Sequence, residues 1–172
     1  MATFTENRAN RLRDGGTVTL FHNTNADREI ISSQRMVRGS SGWAGGGIYF
    51  AGSEHEALQK TQNKGRTLEA RVKLGRVLVV TTSSVKNFSF TELQNMGFDS
   101  VKITGIRTGD EYVVYNGDQV GSIVGRPTWG EKVARKVGQK MQNFLVDSLR
   151  RVFRGRDDDS DDECVDNDVW DY

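Results

Sequence analysis

The chain has 172 residues, one cysteine, two histidines and nearly balanced charge, with 24 Lys/Arg against 23 Asp/Glu and a net charge of +1. That length fits one domain with a modest extension, and the single Cys164 excludes a disulfide framework and a cysteine-built zinc site. No apolar run approaches the ~20 residues that span a bilayer, and the opening Met1-Ala2-Thr3-Phe4-Thr5-Glu6-Asn7-Arg8 carries no secretory signal, so the expected compartment is intracellular, cytoplasmic or nuclear.

Residues 1–16 read as a polar lead-in that closes at Gly15-Gly16. Thr17 to His22 alternates and is rich in β-formers, which predicts a strand. Asn25 fits the N-cap of a short helix over 26–35, with Ile30 and Ile31 toward the core. A loop rich in Gly and Ser over 37–47 runs into a strand over 48–51. Ser53, with Glu56 three residues later, predicts a capping box and a helix to about Asn63. Leu68 to Leu74 alternates as a half-buried strand does. A second strand over 76–82 follows the turn at Gly75. Ser89 or Thr91 opens a short helix that stops at Gly97. Strands are expected at about 99–104, 111–116 and 119–125, and Pro127 marks the end of the sheet region.

From Gly130 the period changes. Val133, Val137, Met141, Leu145, Leu149 and Phe153 recur every four residues, with Phe144 and Val152 widening the stripe. This predicts an amphipathic helix over roughly 130–154. Residues 130–156 hold eight Lys/Arg against Glu131 and Asp147, whereas 157–172 hold nine acids and no base. The acidic segment buries too little apolar area to offset the entropy of ordering. The expected organisation is therefore an α+β domain over 1–129, a basic amphipathic helix over 130–156 and an acidic disordered tail over 157–172. The helix has two readings. Its stripe packs on the domain or on a twin helix, or the helix lies on an anionic membrane surface or a nucleic acid.

Three segments carry side chains suited to chemistry. Phe21-His22-Asn23-Thr24 ends the first strand. Gly45-Gly46-Gly47-Ile48-Tyr49-Phe50-Ala51 combines glycines, which permit close backbone approach, with a tyrosine whose flat face can stack a planar ring. Asp110-Glu111-Tyr112-Val113-Val114-Tyr115-Asn116, followed by Gln119-Val120, brings a carboxylate to a strand end. Taken singly, each has an ordinary explanation: a structural histidine, a packed tyrosine, an edge-strand charge. Other chemistries lack their signatures. There is no G-x-G-x-x-G after a strand, no Walker A sequence, no nucleophile elbow and no metal-ligand spacing around His22 and His55.

Together, in this order, the three segments resemble the catalytic core of the poly(ADP-ribose) polymerase-like ADP-ribosyltransferases, the diphtheria-toxin-type branch with a His-Tyr-Glu triad. The resemblance covers about 17–121. Gly46-Gly47-Ile48-Tyr49-Phe50-Ala51 is nearly that family's tyrosine motif, and Glu111-Tyr112-Val113-Val114-Tyr115 is similar to its glutamate strand. The resemblance implies a compact, mostly antiparallel split β-sheet with short helices. It also implies NAD⁺ as co-substrate, no metal, and cleavage of the nicotinamide–ribose bond through an oxocarbenium-like state. His22, Tyr49 and Glu111 would be catalytic. His22, Asn23, Thr24, Gly47, Tyr49 and Ala57 would bind NAD⁺, with His22 on a ribose hydroxyl, the Asn23 backbone on the carboxamide and Tyr49 stacked on nicotinamide. Arg35, Arg38, Ser40 and Ser41, in the region that covers NAD⁺ in the family, would reach the pyrophosphate.

Two positions depart from the family's pattern. Asn23 stands where a glycine is usual, and Lys60 stands where a second ring often closes on nicotinamide. Trp43 is a candidate replacement for that ring. Mono-ADP-ribosylation of a protein or nucleic-acid acceptor is the expected activity. NAD⁺ hydrolysis and a catalytically degenerate NAD⁺- or ADP-ribose-binding module are the alternatives.

Overall fold

The computed structural model describes residues 4–61 and 65–154, and the expected acidic tail at 157–172 lies outside them. The chain divides into two units, Met1–Thr128 and Trp129–Tyr172. The first is α+β. Its strands are β1 (Val18–Thr24), β2 (Ile48–Ala51), β3 (Arg66–Val72), β4 (Val77–Thr81), β5 (Ser100–Thr104), β6 (Glu111–Val114) and β7 (Val120–Gly125). Its helices are α1 (Phe4–Asp14), α2 (Asp27–Ser33), α3 (Glu54–Lys60) and α4 (Phe90–Asn95), with one 3₁₀ turn at Gly117–Gln119. The second unit holds α5 (Trp129–Arg154).

The strands form a seven-stranded sheet in the order β4-β5-β6-β2-β1-β3-β7. Every neighbouring pair is antiparallel except β4 and β5, which run parallel and are joined through α4, as a parallel pair requires. The β1–β3 ladder runs through seven residue pairs, from Val18↔Val72 to Thr24↔Arg66. By contrast β1 and β2 share a single pair, Phe21↔Ala51. The sheet is continuous, but it opens along the β1–β2 seam beyond that pair.

Alternation along the strands gives the sheet two apolar faces. Leu20, Ile48, Phe50, Leu68, Val72, Val114 and Ile123 belong to one core cluster. Val101, Ile103, Val113 and Tyr115 pack with Phe88 and Leu93 in the other. Ile30 and Ile31 of α2 pack against the first cluster, as their spacing predicts.

Several local expectations need correction. Residues 4–14 form α1, not a polar lead-in. Among its described side chains Leu12 is the buried hydrophobic residue. Polar anchors hold the helix. Arg11 donates to both carboxylate oxygens of Asp99 at 2.8 Å and to Gln94 Oε1 at 2.9 Å, and Arg8 grips Asp118 with two bonds. Helix α2 is capped by Ala26 without a side-chain bond, and Asn25 is not its cap; the Thr24 hydroxyl accepts the Ala26 N–H at 3.1 Å instead. The helix ends at Ser33 because Gln34 turns left-handed (φ 52°). The Gln34 amide then pairs with the backbone of Ile123 in both directions, which fastens the helix end to β7.

The caps at Ser53 and Ser89 are formed: each hydroxyl accepts the N–H three residues on. The Glu56 carboxylate, however, reaches the N–H of Gly52 rather than that of Ser53. Helix α3 stops at Lys60, and the expected continuation through residues 62 and 63 lies outside the described residues. Strand β3 begins two residues earlier than expected, since Arg66 and Thr67 complete the ladder with β1.

Candidate active site

Three adjacent strands set the site through their register. Phe21 pairs with Ala51, and Ala51 pairs with Glu111, so one row crosses β1, β2 and β6. Tyr49, Ala51 and Glu111 share a face because they alternate with Phe50 and Tyr112. His22 falls on the opposite, Phe50 face, and its ring meets Phe50 edge-on at 5.9 Å between centroids. The opened seam lets both faces contribute to one cavity of about 180 Å³, lined by residues that include His22, Asn23, Tyr49, Ala57, Lys60 and Glu111. That volume is below the roughly 300–1,000 Å³ of pockets that enclose a drug-sized ligand. The cavity can hold one end of a larger molecule.

The protonation state of His22 follows from its partner. Nδ1 lies 2.7 Å from the Tyr49 carbonyl oxygen. A carbonyl only accepts, so Nδ1 carries the proton and Nε2 of the neutral ring is an acceptor. Burial pushes the imidazole's pKa down, and the Tyr49 carbonyl opposes it. The unfolded chain then takes up a proton near pH 6.5 that the folded ring resists. Stability therefore falls as pH drops below that value, by at most about 1.4 kcal/mol per pH unit, and this group adds no slope above it. Urea-unfolding midpoints measured from pH 7.5 downward should show this fall in the wild type and a flatter profile in His22→Asn. Equal slopes would assign the effect to another group.

Tyr49 has two roles. Its hydroxyl donates to the Gly45 carbonyl at 2.6 Å and accepts the Ala44 N–H at 3.0 Å. Only the ring is left for a ligand. Burial raises its pKa, the Ala44 contact lowers it and the Glu111 carboxylate raises it. Tyr115 donates to the Ala44 carbonyl at 2.6 Å, so two tyrosines pin the glycine loop. The close approach that the glycines permit is to the protein itself. A Cβ on Gly42 would overlap the Tyr49 hydroxyl, and one on Gly47 would overlap Val113.

Glu111 is the carboxylate of the cavity. Its Oε1 pairs with Lys60 Nζ at 3.4 Å, and Lys60 also donates to the Gly109 carbonyl at 2.8 Å and to Thr108 at 3.2 Å. The other oxygen, Oε2, is buried with no partner among the described residues. Asn23 is similar: Nδ2 donates to the Thr67 hydroxyl at 3.0 Å, while Oδ1 is buried and unpartnered among the described residues. In the sequence Lys60 stands out only as a missing ring. Its link to the carboxylate, 51 positions along the chain, has no sequence signature.

Not every expected residue reaches this cavity. Gly47 and Thr24 are not in its lining. The Gly47 carbonyl accepts the Gly39 N–H, and Thr24 supports the start of α2. Arg35 and Arg38 line a separate cavity of about 690 Å³ beside Tyr115 and Asn116, beyond the end of β6 opposite Glu111. Ser40 and Ser41 line another, of about 550 Å³. Trp43 is exposed and lines none of the three. Among the described residues no cluster of His, Cys, Asp and Glu could hold a metal ion. No protein-family model matches the chain, and no curated protein matches it.

Proposed function

We propose that this protein is an NAD⁺-dependent ADP-ribosyltransferase that adds single ADP-ribose units to a protein or nucleic-acid acceptor. One observation carries the reading. Two buried acceptors, Glu111 Oε2 and Asn23 Oδ1, have no donor among the described residues and belong to residues that line the cavity with Tyr49 and His22. Leaving a buried acceptor unpaired costs roughly 1–3 kcal/mol, which a ligand bearing hydroxyl and amide donors would recover. The nicotinamide riboside end of NAD⁺ carries both kinds of donor and a planar ring for Tyr49. His22 Nε2 is a third acceptor for a sugar hydroxyl.

The chemistry follows from these groups. The electron pair of the bond between the ribose C1′ and the nicotinamide nitrogen leaves with nicotinamide. Positive charge then develops on C1′ and the ring oxygen. The Glu111 carboxylate, hydrogen-bonded through Oε2 to the same ribose, opposes that charge where it forms. The acceptor nucleophile bonds to C1′ and releases its proton. Lys60 holds Oε1 and so aims Oε2.

A second reading, a module that binds the nucleotide without turning it over, is favoured by that same Lys60–Glu111 pair, since a neighbouring ammonium weakens the carboxylate's field. Incubation with NAD⁺ labelled in its adenylate half separates the readings. Label carried on a macromolecule, with nicotinamide released in equal amount, supports transfer. Free ADP-ribose alone makes the protein an NAD⁺ glycohydrolase. Intact NAD⁺ supports the binding module.

A further inference from the structure

Helix α5 carries a wide apolar face that its own unit leaves exposed. Phe144 is 72% exposed, Met141 62%, Leu145 58% and Leu149 56%, and Val133 and Val137 are exposed as well. The described part of the helix from 131 to 151 also carries six bases, Lys132, Arg135, Lys136, Lys140, Arg150 and Arg151, against Glu131 and Asp147. At about 3.6 residues per turn, these apolar side chains occupy one side, and Val146, also exposed, falls among the bases on the other. Lys132, Arg135, Lys136 and Arg150 occupy that other side, with Lys140 and Arg151 at the border. The nine acids of 157–172 begin just after this helix, separated from Arg154 by Gly155 and Arg156.

The spacing of the stripe discriminates among possible occupants. Val133, Val137, Met141, Leu145 and Leu149 recur every four residues. A four-residue step overshoots one turn by about 40°, so from Val133 to Leu149 the stripe drifts across the apolar side without leaving it. A coiled coil needs a seam that repeats every 3.5 residues on average, and this stripe keeps that spacing only over short stretches such as Val137, Met141 and Phe144. Two such helices would also bring like charges together. A nucleic acid would satisfy the bases but leave Phe144, Met141 and Leu145 in water. An anionic bilayer surface satisfies both sides at once, because apolar residues enter the acyl boundary while the bases stay among the headgroups. No helix among the described residues is long and apolar enough to cross a membrane, so the fit is to a helix lying in the surface.

We infer that α5 is a surface anchor that docks this protein on anionic membranes, with Met141, Phe144 and Leu145 inserted and the bases on the headgroups. The test is co-sedimentation of the full chain with phosphatidylcholine vesicles, with and without phosphatidylglycerol. The wild type should partition onto the anionic vesicles and much less onto the neutral ones, and added salt should weaken binding as headgroup contacts are screened. Met141→Glu with Leu145→Glu should reduce partitioning by roughly tenfold or more. Arg135→Glu with Lys136→Glu should remove the preference for anionic lipid. All four side chains are exposed, and an unchanged far-UV circular dichroism spectrum checks that the helix persists. The inference fails if the wild type stays in the supernatant or if the Met141→Glu, Leu145→Glu variant binds vesicles as the wild type does. It fails equally if light scattering shows a dimer, lost in that variant, as the only partner. Duplex DNA bound by wild type and that variant alike, with no vesicle binding, would reassign the basic side to nucleic acid.

Discussion

Glu111→Gln should lower the rate of nicotinamide release at saturating NAD⁺ by roughly 10²–10³-fold, with only a small change in NAD⁺ affinity. Glutamine keeps the shape of the side chain and can still hydrogen-bond a ribose. It lacks the negative charge that, in the proposed reaction, opposes the cation forming at C1′. Binding involves little of that cation, whereas bond cleavage involves nearly all of it, so the loss falls on kcat. Lys60 keeps its bonds to Thr108 and Gly109 in the variant, so the loop around the site retains its main support. Release of nicotinamide at the same background rate by wild type and variant would sink the enzymatic reading. A loss confined to affinity would make Glu111 a binding group.

The largest effect on stability is expected far from the cavity, at Arg11. Asp99 is 1% exposed. Burial alone would push its carboxyl up. The Arg11 guanidinium, the Arg76 N–H and Gln94 more than reverse this, and Asp99 is held below the usual aspartate range. Asp99 in turn raises the pKa of Arg11. Arg11→Ala leaves that carboxylate buried beside only neutral donors and should destabilise the domain by about 3–5 kcal/mol. Urea denaturation followed by fluorescence measures it. Removing both charges, with Arg11→Met and Asp99→Asn together, should cost less than Arg11→Ala alone, because no isolated charge is left behind. Additive losses would show that the pair is not coupled. The depressed carboxyl fixes the sign of the pH effect. Its stabilising contribution is present above the unfolded value of 3.8 and is lost as pH falls through the folded one.

The contrast between these two sites explains what could be read from the sequence. Ser53 was legible as a cap, and Ser89 as one of two candidates beside Thr91, because a hydroxyl and the N–H three residues on make a local pattern. The strands of Ile48–Ala51 and Glu111–Val114 were legible from β-rich runs near turn residues. Helix α1 was not, because it depends on Arg11 meeting a carboxylate 88 positions away and not on an apolar stripe. The same holds for Lys60 and Glu111. Their approach depends on where α3 lies against the row Phe21–Ala51–Glu111, and that row is a property of strand register. His22, Tyr49 and Glu111 could be named from their segments. Which neighbours each would acquire, and that Tyr49 would also pin the loop before it, depended on contacts between distant parts of the chain.

The β1–β2 seam has one more consequence. An open sheet normally has two edges, both outward, where unpaired backbone groups invite another chain to add a strand. Here Phe21↔Ala51 is the last shared pair, and beyond it the two strands part while β1 keeps its full ladder with β3. Next to that pair a side chain bridges the two strands, with His22 Nδ1 donating to the Tyr49 carbonyl at 2.7 Å. The feature that exposes other sheets to aggregation is here closed in part by the protein's own side chain, with His22 standing in for a missing ladder bond.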